Sequence, residues 1–84
     1  MSQTYYLSFV EESVMNPDYR GFIGGRVEVY SKGLYADREI RFFTDRRDEY
    51  SVFREKWDFK IVTAEKLAEI EKEIKERFME RGKK

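Results

Sequence analysis

The first half of the chain has the alternating pattern of β-strands. Three stretches mix apolar, aromatic and β-branched residues with polar positions: residues 5–10, 21–31 and 34–43. Pro17 and Gly33 mark the turns between them, and Gly24-Gly25 interrupts the second stretch, which indicates a bulge or a close approach of another group. We therefore predict an antiparallel sheet over residues 4–43.

The next stretch has the periodicity of a helix. Tyr50, Phe53 and Trp57 recur at the spacing of one helical face, and acidic residues precede them, which favours the start of a helix. A short helix is therefore predicted over about 45–57. The segment that follows, residues 59–62, is ambiguous between a fourth strand and an extended linker.

The last predicted element is a long amphipathic helix over about 63–81. Thr63 is a favourable N-cap, and strong helix formers follow it. A single apolar stripe runs along this helix: Leu67, Ile70, Ile74 and Phe78. At about 1.5 Å per residue the helix is longer than a strand that it would cover, so we expect its last turns to overhang the sheet. That overhang makes Phe78 and Met79 candidate contacts in a dimer.

These elements predict an α+β fold for residues 1–84, which are too few for two domains. The expected sheet is small and antiparallel, with three strands or, if residues 59–62 pair, four. We expect the short helix and the long C-terminal helix to pack on one face of that sheet.

The amino-acid composition excludes several kinds of catalytic and metal site but does not identify a function. The chain has no Cys and no His, which removes thiol catalysis, disulfides and the usual transition-metal ligands. We therefore expect no catalytic residues, no cofactor and no bound metal. Lys plus Arg and Asp plus Glu each number 17, so the formal net charge is zero, and dedicated nucleic-acid binders usually have a basic excess.

The location of the protein is a separate expectation. No stretch approaches the ~18 apolar residues of a membrane span, and the first residues lack the positive region of a signal peptide. We expect a cytoplasmic protein with no membrane partner.

Strand alternation indicates where a binding surface would lie. If the predicted strands align, one face of the sheet carries aromatic rings interleaved with arginines: Tyr6, Phe22, Arg26, Tyr30, Arg41 and Phe43. Either a helix of the same chain covers this face, or it contacts another protein, or it stacks nucleobases and holds phosphates.

Our leading hypothesis is a non-enzymatic binding or adaptor protein that acts through protein–protein contacts and forms a homodimer. The alternative is a nucleic-acid or nucleotide binder that uses the same aromatic and arginine face. A second alternative is a carboxylate–metal hydrolase, because Asp18, Asp58 and Lys60 are the residue types that hold Mg²⁺ and stabilise negative charge.

Overall fold

Strands precede helices along most of the chain, and each helix leads into a short strand. The computed structural model of the protein describes residues 3–80. Its elements are β1 (Thr4–Glu12), β2 (Ile23–Tyr30), β3 (Arg38–Thr44), α1 (Arg47–Trp57), β4 (Ile61–Thr63), α2 (Ala64–Arg77) and β5 (Met79–Glu80). A 3₁₀ turn, Pro17–Tyr19, lies between β1 and β2.

All pairings in the sheet are antiparallel, and the strand order is β4-β1-β2-β3-β5. The α+β prediction is confirmed, but the described residues form five strands, not three or four. Residues 59–62 were ambiguous between a strand and a linker, and β4 (Ile61–Thr63) shows that this segment contains a strand. β5 has two residues, which is too short a run to show a period of two along the sequence.

The core lies between one face of this sheet and both helices. Inward-facing strand residues meet the apolar stripes of the helices, and the members of this core are Leu7, Phe9, Ile23, Val27, Val29, Ile40, Phe42, Tyr50, Phe53, Val62, Leu67, Ile70, Ile74 and Phe78. Four of its rings make direct contacts: Phe42 stacks on Phe78 with 5.0 Å between centroids, and Phe53 meets both Phe9 and Phe78 edge to face. Rings therefore fill a core that a chain of this length would otherwise fill poorly.

The C-terminal helix is shorter than predicted. Its N-cap is Thr63, whose hydroxyl accepts the backbone N–H of Lys66 at 3.2 Å, but the helix ends at Arg77 and not at residue 81, which lies outside the described residues. Phe78 is already extended, with φ −124° and ψ 163°, and its ring is 4 % exposed. The predicted overhang is therefore wrong, and Phe78 belongs to the core and not to a surface contact.

The hairpin between β2 and β3 is also longer than predicted. β3 begins at Arg38, so residues 34–37 belong to the loop and not to the strand. Gly33 adopts a positive φ of 83° in this loop, which favours glycine. Leu34 and Tyr35 consequently project from the molecule with 89 % and 85 % of their surface exposed.

Neither described helix combines the length and apolar character that crossing a bilayer requires.

Candidate functional site

Within residues 3–80, no helix packs on one of the two faces of the sheet. Because directly paired residues of an antiparallel sheet point to the same side, the register gathers one set of side chains on this outer face. The set contains Tyr6, Ser8, Val10, Glu12, Arg26, Glu28, Tyr30, Glu39, Arg41, Phe43, Ile61 and Met79. The face that the alternation predicted is thus left uncovered by α1 and α2, whose apolar residues pack on the opposite side.

The middle of the outer face is a cluster of charged groups around Arg26. Its Nη1 lies 2.6 Å from Glu12 Oε2 and its Nη2 lies 2.6 Å from Glu28 Oε2, while Nε is 3.5 Å from Glu39 Oε2. Arg41 donates to Glu39 at 2.7 Å. We call these five residues the Arg26 cluster.

Hydrogen bonds shift the ionisation of this cluster. The hydroxyl of Tyr30 donates to Glu28 Oε1 at 2.7 Å, and this bond, followed by the one from Arg26, lowers the pKa of Glu28 below its ordinary value of 4.5. Bonding to Glu12 and then to Glu28 raises the pKa of the Arg26 guanidinium. Three carboxylates face two guanidinium groups, so the cluster has one excess negative charge and does not present Arg26 to a phosphate.

Next to the cluster, at one end of the face, three aromatic rings pack on one another. The ring centroid of Tyr19 lies 4.6 Å from that of Phe43 and 5.7 Å from that of Phe22, and Phe22 and Phe43 are 5.5 Å apart. Phe43 is only 6 % exposed as a result. Phe22 and Phe43, two of the predicted binding residues, therefore pack against Tyr19 of the turn that precedes β2.

The other end of the face is apolar and open. Tyr6 contacts Tyr30 and Phe59, each with 6.3 Å between ring centroids. Phe59, Ile61 and Leu34 are 65 %, 72 % and 89 % exposed. We call these five residues the Tyr6 patch.

A groove of about 450 Å³ opens over part of the Tyr6 patch. Tyr6, Tyr30, Leu34 and Ile61 contribute its apolar surface, and Ser8, Ser31 and Lys32 are among its polar lining. The groove is thus bounded by the β2–β3 hairpin on one side and by β4 on the other.

The charge near this groove is opposite in sign to that of the Arg26 cluster. Lys32 lines the groove, and Lys60 lies between Phe59 and Ile61 in the chain. Among residues 3–80, no carboxylate oxygen lies within 4.0 Å of the ammonium nitrogen of either lysine. The Tyr6 patch is therefore an exposed apolar surface with Lys32 beside its groove and Lys60 within its chain segment, and neither lysine is neutralised within residues 3–80.

The residues of the hypothetical metal site have other roles. Asp58 Oδ1 accepts the backbone N–H of Phe9 at 2.9 Å, and Oδ2 lies 3.3 Å from Arg54 Nε. Asp18 lies in the 3₁₀ turn, where its own backbone N–H donates to Asn16 Oδ1. Within residues 3–80, no group of three or more carboxylates is arranged to hold a metal ion.

The structure thus divides the predicted site residues among different surroundings. Tyr6 and Tyr30 lie in the open patch, Arg26 and Arg41 lie in the neutralised cluster, and Met79 is 47 % exposed on β5 beside Phe43. Phe59, Ile61 and Leu34 were not among the residues predicted to bind. The signal available for Phe59 and Ile61 was two large apolar residues in a charged stretch that no helical stripe includes.

Comparisons of the chain with protein-family models, with curated proteins and with solved structures find no match.

Proposed function

We propose that the protein is a non-catalytic binding module and that the Tyr6 patch docks a segment of a partner protein. The segment carries a large apolar side chain that enters the groove, and acidic residues beside it pair with Lys32 and Lys60. The observation that carries this proposal is the grouping of exposed apolar side chains, Phe59, Ile61 and Leu34, with Lys32, which has no carboxylate partner among residues 3–80.

Charge complementarity supports an acidic partner over a basic one. A carboxylate placed beside Lys32 gains an ion pair that the described chain does not already satisfy. A basic segment would meet like charge at the groove.

The same geometry disfavours the nucleic-acid alternative. A phosphate would have to displace Glu12 and Glu28 from Arg26, and those contacts are only 2.6 Å long. Two of the rings that would stack on bases, Phe22 and Phe43, are packed against Tyr19. Binding of a single-stranded oligonucleotide that weakens in Arg26→Ala and falls with salt would contradict this argument.

The size of the groove suits one anchoring side chain with its neighbours. Its volume of about 450 Å³ lies within the range of ~300–1,000 Å³ that is common for small ligand sites. Full burial of a large apolar side chain is worth about 1.5–3 kcal/mol, and ordering a short peptide offsets part of that gain. For an isolated peptide we therefore expect a Kd between about 10 µM and 1 mM.

The test is a titration with two matched synthetic peptides, followed by amide chemical shifts. One has the sequence Asp-Glu-Leu-Trp-Glu-Asp, and the other has the sequence Lys-Lys-Leu-Trp-Lys-Lys. We expect the acidic peptide to shift the amides of Tyr6, Tyr30, Leu34 and Ile61, and to bind at least about tenfold more tightly than the basic one. Absence of shifts, or equal binding of both peptides, would refute the proposal.

Two variants and a control assign the binding to the patch. Lys32→Glu is expected to reverse the preference between the two peptides, because it replaces the unpaired positive charge with a negative one. Ile61→Ser is expected to weaken binding of the acidic peptide, because it removes apolar surface from the patch. Met15→Ser is the control, since Met15 is 84 % exposed but lies in the β1–β2 connection, outside the Tyr6 patch.

The predicted homodimer is a competing occupant of the same surface. If a second copy covers the Tyr6 patch, sedimentation at micromolar concentration will show a dimer that Ile61→Ser dissociates, and the acidic peptide will bind only in competition with it. That result would replace the acidic partner with a second copy of this chain.

A further inference from the structure

The connection between α1 and β4 is a β-bulge that presents Phe59. The backbone N–H of Phe59 donates to Leu7 C=O at 3.0 Å, and the N–H of Leu7 donates to Lys60 C=O at 2.9 Å. Phe59 and Lys60 together therefore oppose the single residue Leu7 of β1. Phe59 has a φ of 58°, which is the left-handed conformation that glycine normally occupies in bulges of this kind.

Several contacts prevent this connection from relaxing. Asp58, the residue before Phe59, accepts the N–H of Phe9 through its carboxylate. The backbone N–H of Asp58 also donates to Arg54 C=O at 2.7 Å, which ends α1. The chain is thus tied to β1 and to α1 on both sides of Phe59, and its left-handed backbone is imposed on a residue for which it is unfavourable.

The side chain of Phe59 gains little within the chain. Its ring is 65 % exposed, and within residues 3–80 the aromatic ring that it meets is that of Tyr6, at 6.3 Å. The same position would be unstrained with glycine. The backbone conformation of Phe59 is therefore unfavourable for a phenylalanine, and its side chain is largely exposed. A contribution to the stability of the described chain does not explain a phenylalanine at this position.

We infer that Phe59 is the main contact residue of the Tyr6 patch, and that the bulge holds its ring outward for the partner segment. This inference rests on the proposed function. Because the backbone of Phe59 is already fixed, binding orders only its side chain, and an aromatic residue with such a pre-organised backbone contributes strongly to an interface.

The first experiment measures thermal unfolding of Phe59→Gly and Phe59→Ala. Both variants remove the ring, but only Phe59→Gly also relieves the left-handed strain. We expect Phe59→Gly to melt about 4 °C or more above Phe59→Ala and not below the wild-type protein. If Phe59→Gly instead melts well below the wild type, the ring stabilises the fold itself and the inference is wrong.

The second experiment titrates the acidic peptide Asp-Glu-Leu-Trp-Glu-Asp into the same variants. We expect both to weaken its binding at least about tenfold, while Met15→Ser leaves the Kd unchanged. If the wild type binds and the Phe59 variants bind equally well, the inference fails and the proposed function stands. If the wild type does not bind, both are overturned.

Discussion

The two faces of the sheet are formed by the same strands, but they differ in what packs on them. On the inner face, side chains such as Leu7, Val27 and Phe42 are fully buried because α1 and α2 pack on them. On the outer face, alternate residues of the same strands form an ion-paired cluster and a patch that stays exposed. The contrast separates the residues that hold the fold together from those available to a partner.

Truncating one phenylalanine on each face to alanine should give the largest difference in the free energy of unfolding. Phe42 is fully buried and contacts Phe9, Tyr50 and Phe78, so Phe42→Ala is expected to lower the free energy of unfolding by about 3–5 kcal/mol. Phe59→Ala removes the same ring from an exposed position and should change it by less than about 1 kcal/mol. Urea unfolding of both variants measures the difference.

Equal effects of the two truncations would contradict this division of roles. In that case Phe59 would support the fold as much as Phe42 does, and the Tyr6 patch would be a structural cluster. A change in the denaturant slope would have to be excluded first, since it would indicate an altered unfolded state and not a lost contact.

Gly25 lies at a point of close packing on the inner face, which gives a second, smaller test. A Cβ at this position would lie 2.7 Å from Phe42 Cζ and 2.9 Å from Tyr50 Cε1. Gly25→Ala is therefore expected to destabilise the protein by about 1–3 kcal/mol through overpacking. Chemical denaturation of the Gly25→Ala and Phe42→Leu double variant is the control, because a smaller side chain at position 42 should reduce the effect of the added methyl group. An undiminished effect would mean that the clash is not with Phe42.

Alternation along the sequence predicted the three longer strands and the two faces of the sheet, but it began β3 four residues too early and did not show β5. The residues of β2 and β3 pair with Arg26 opposite Arg41 and with Val27 opposite Ile40, so the predicted ring-and-arginine face exists. The glycine pair at Gly24-Gly25 also indicated a close approach, and the rings of Phe42 and Tyr50 provide it at Gly25. The two faces follow from local sequence, because successive side chains of a strand point to opposite sides of the sheet.

The parts that the sequence did not predict depend on contacts between distant residues. Phe78 continues the apolar stripe of α2, but the chain leaves the helix there because the ring can stack on Phe42 and the next residues can pair with β3. Ion pairing of Arg26 with Glu12 likewise depends on the register between β1 and β2. The left-handed backbone of Phe59 has no signal in residue type, since glycine is the residue expected there.

The smallest expected effect distinguishes two arginines of the outer face. The Arg26 side chain is 24 % exposed and has three carboxylate neighbours, and Arg26→Met removes the guanidinium group that contacts all three. We expect a loss of about 1–2 kcal/mol at pH 7. Arg41 is 47 % exposed and pairs with Glu39, so Arg41→Met should lose less than about 0.5 kcal/mol. Unfolding curves of the two variants measure this difference.

The pH dependence of the Arg26→Met effect shows whether it is electrostatic. The pKa of Glu28 is lowered in the folded state, first by the hydrogen bond from Tyr30 and then by Arg26. The ionised carboxylate of Glu28 therefore stabilises the protein at pH values above 4.5, its ordinary pKa. This stabilisation decreases as the pH falls below 4.5 and is lost once the pH has passed the lowered pKa, where the folded carboxylate is protonated. Because Arg26→Met has already lost the arginine part of it, the gap between variant and wild type should narrow as the pH falls below 4.5. A gap that is the same at pH 7 and pH 3 would show that the buried stem of Arg26, and not its charge, supports the outer face.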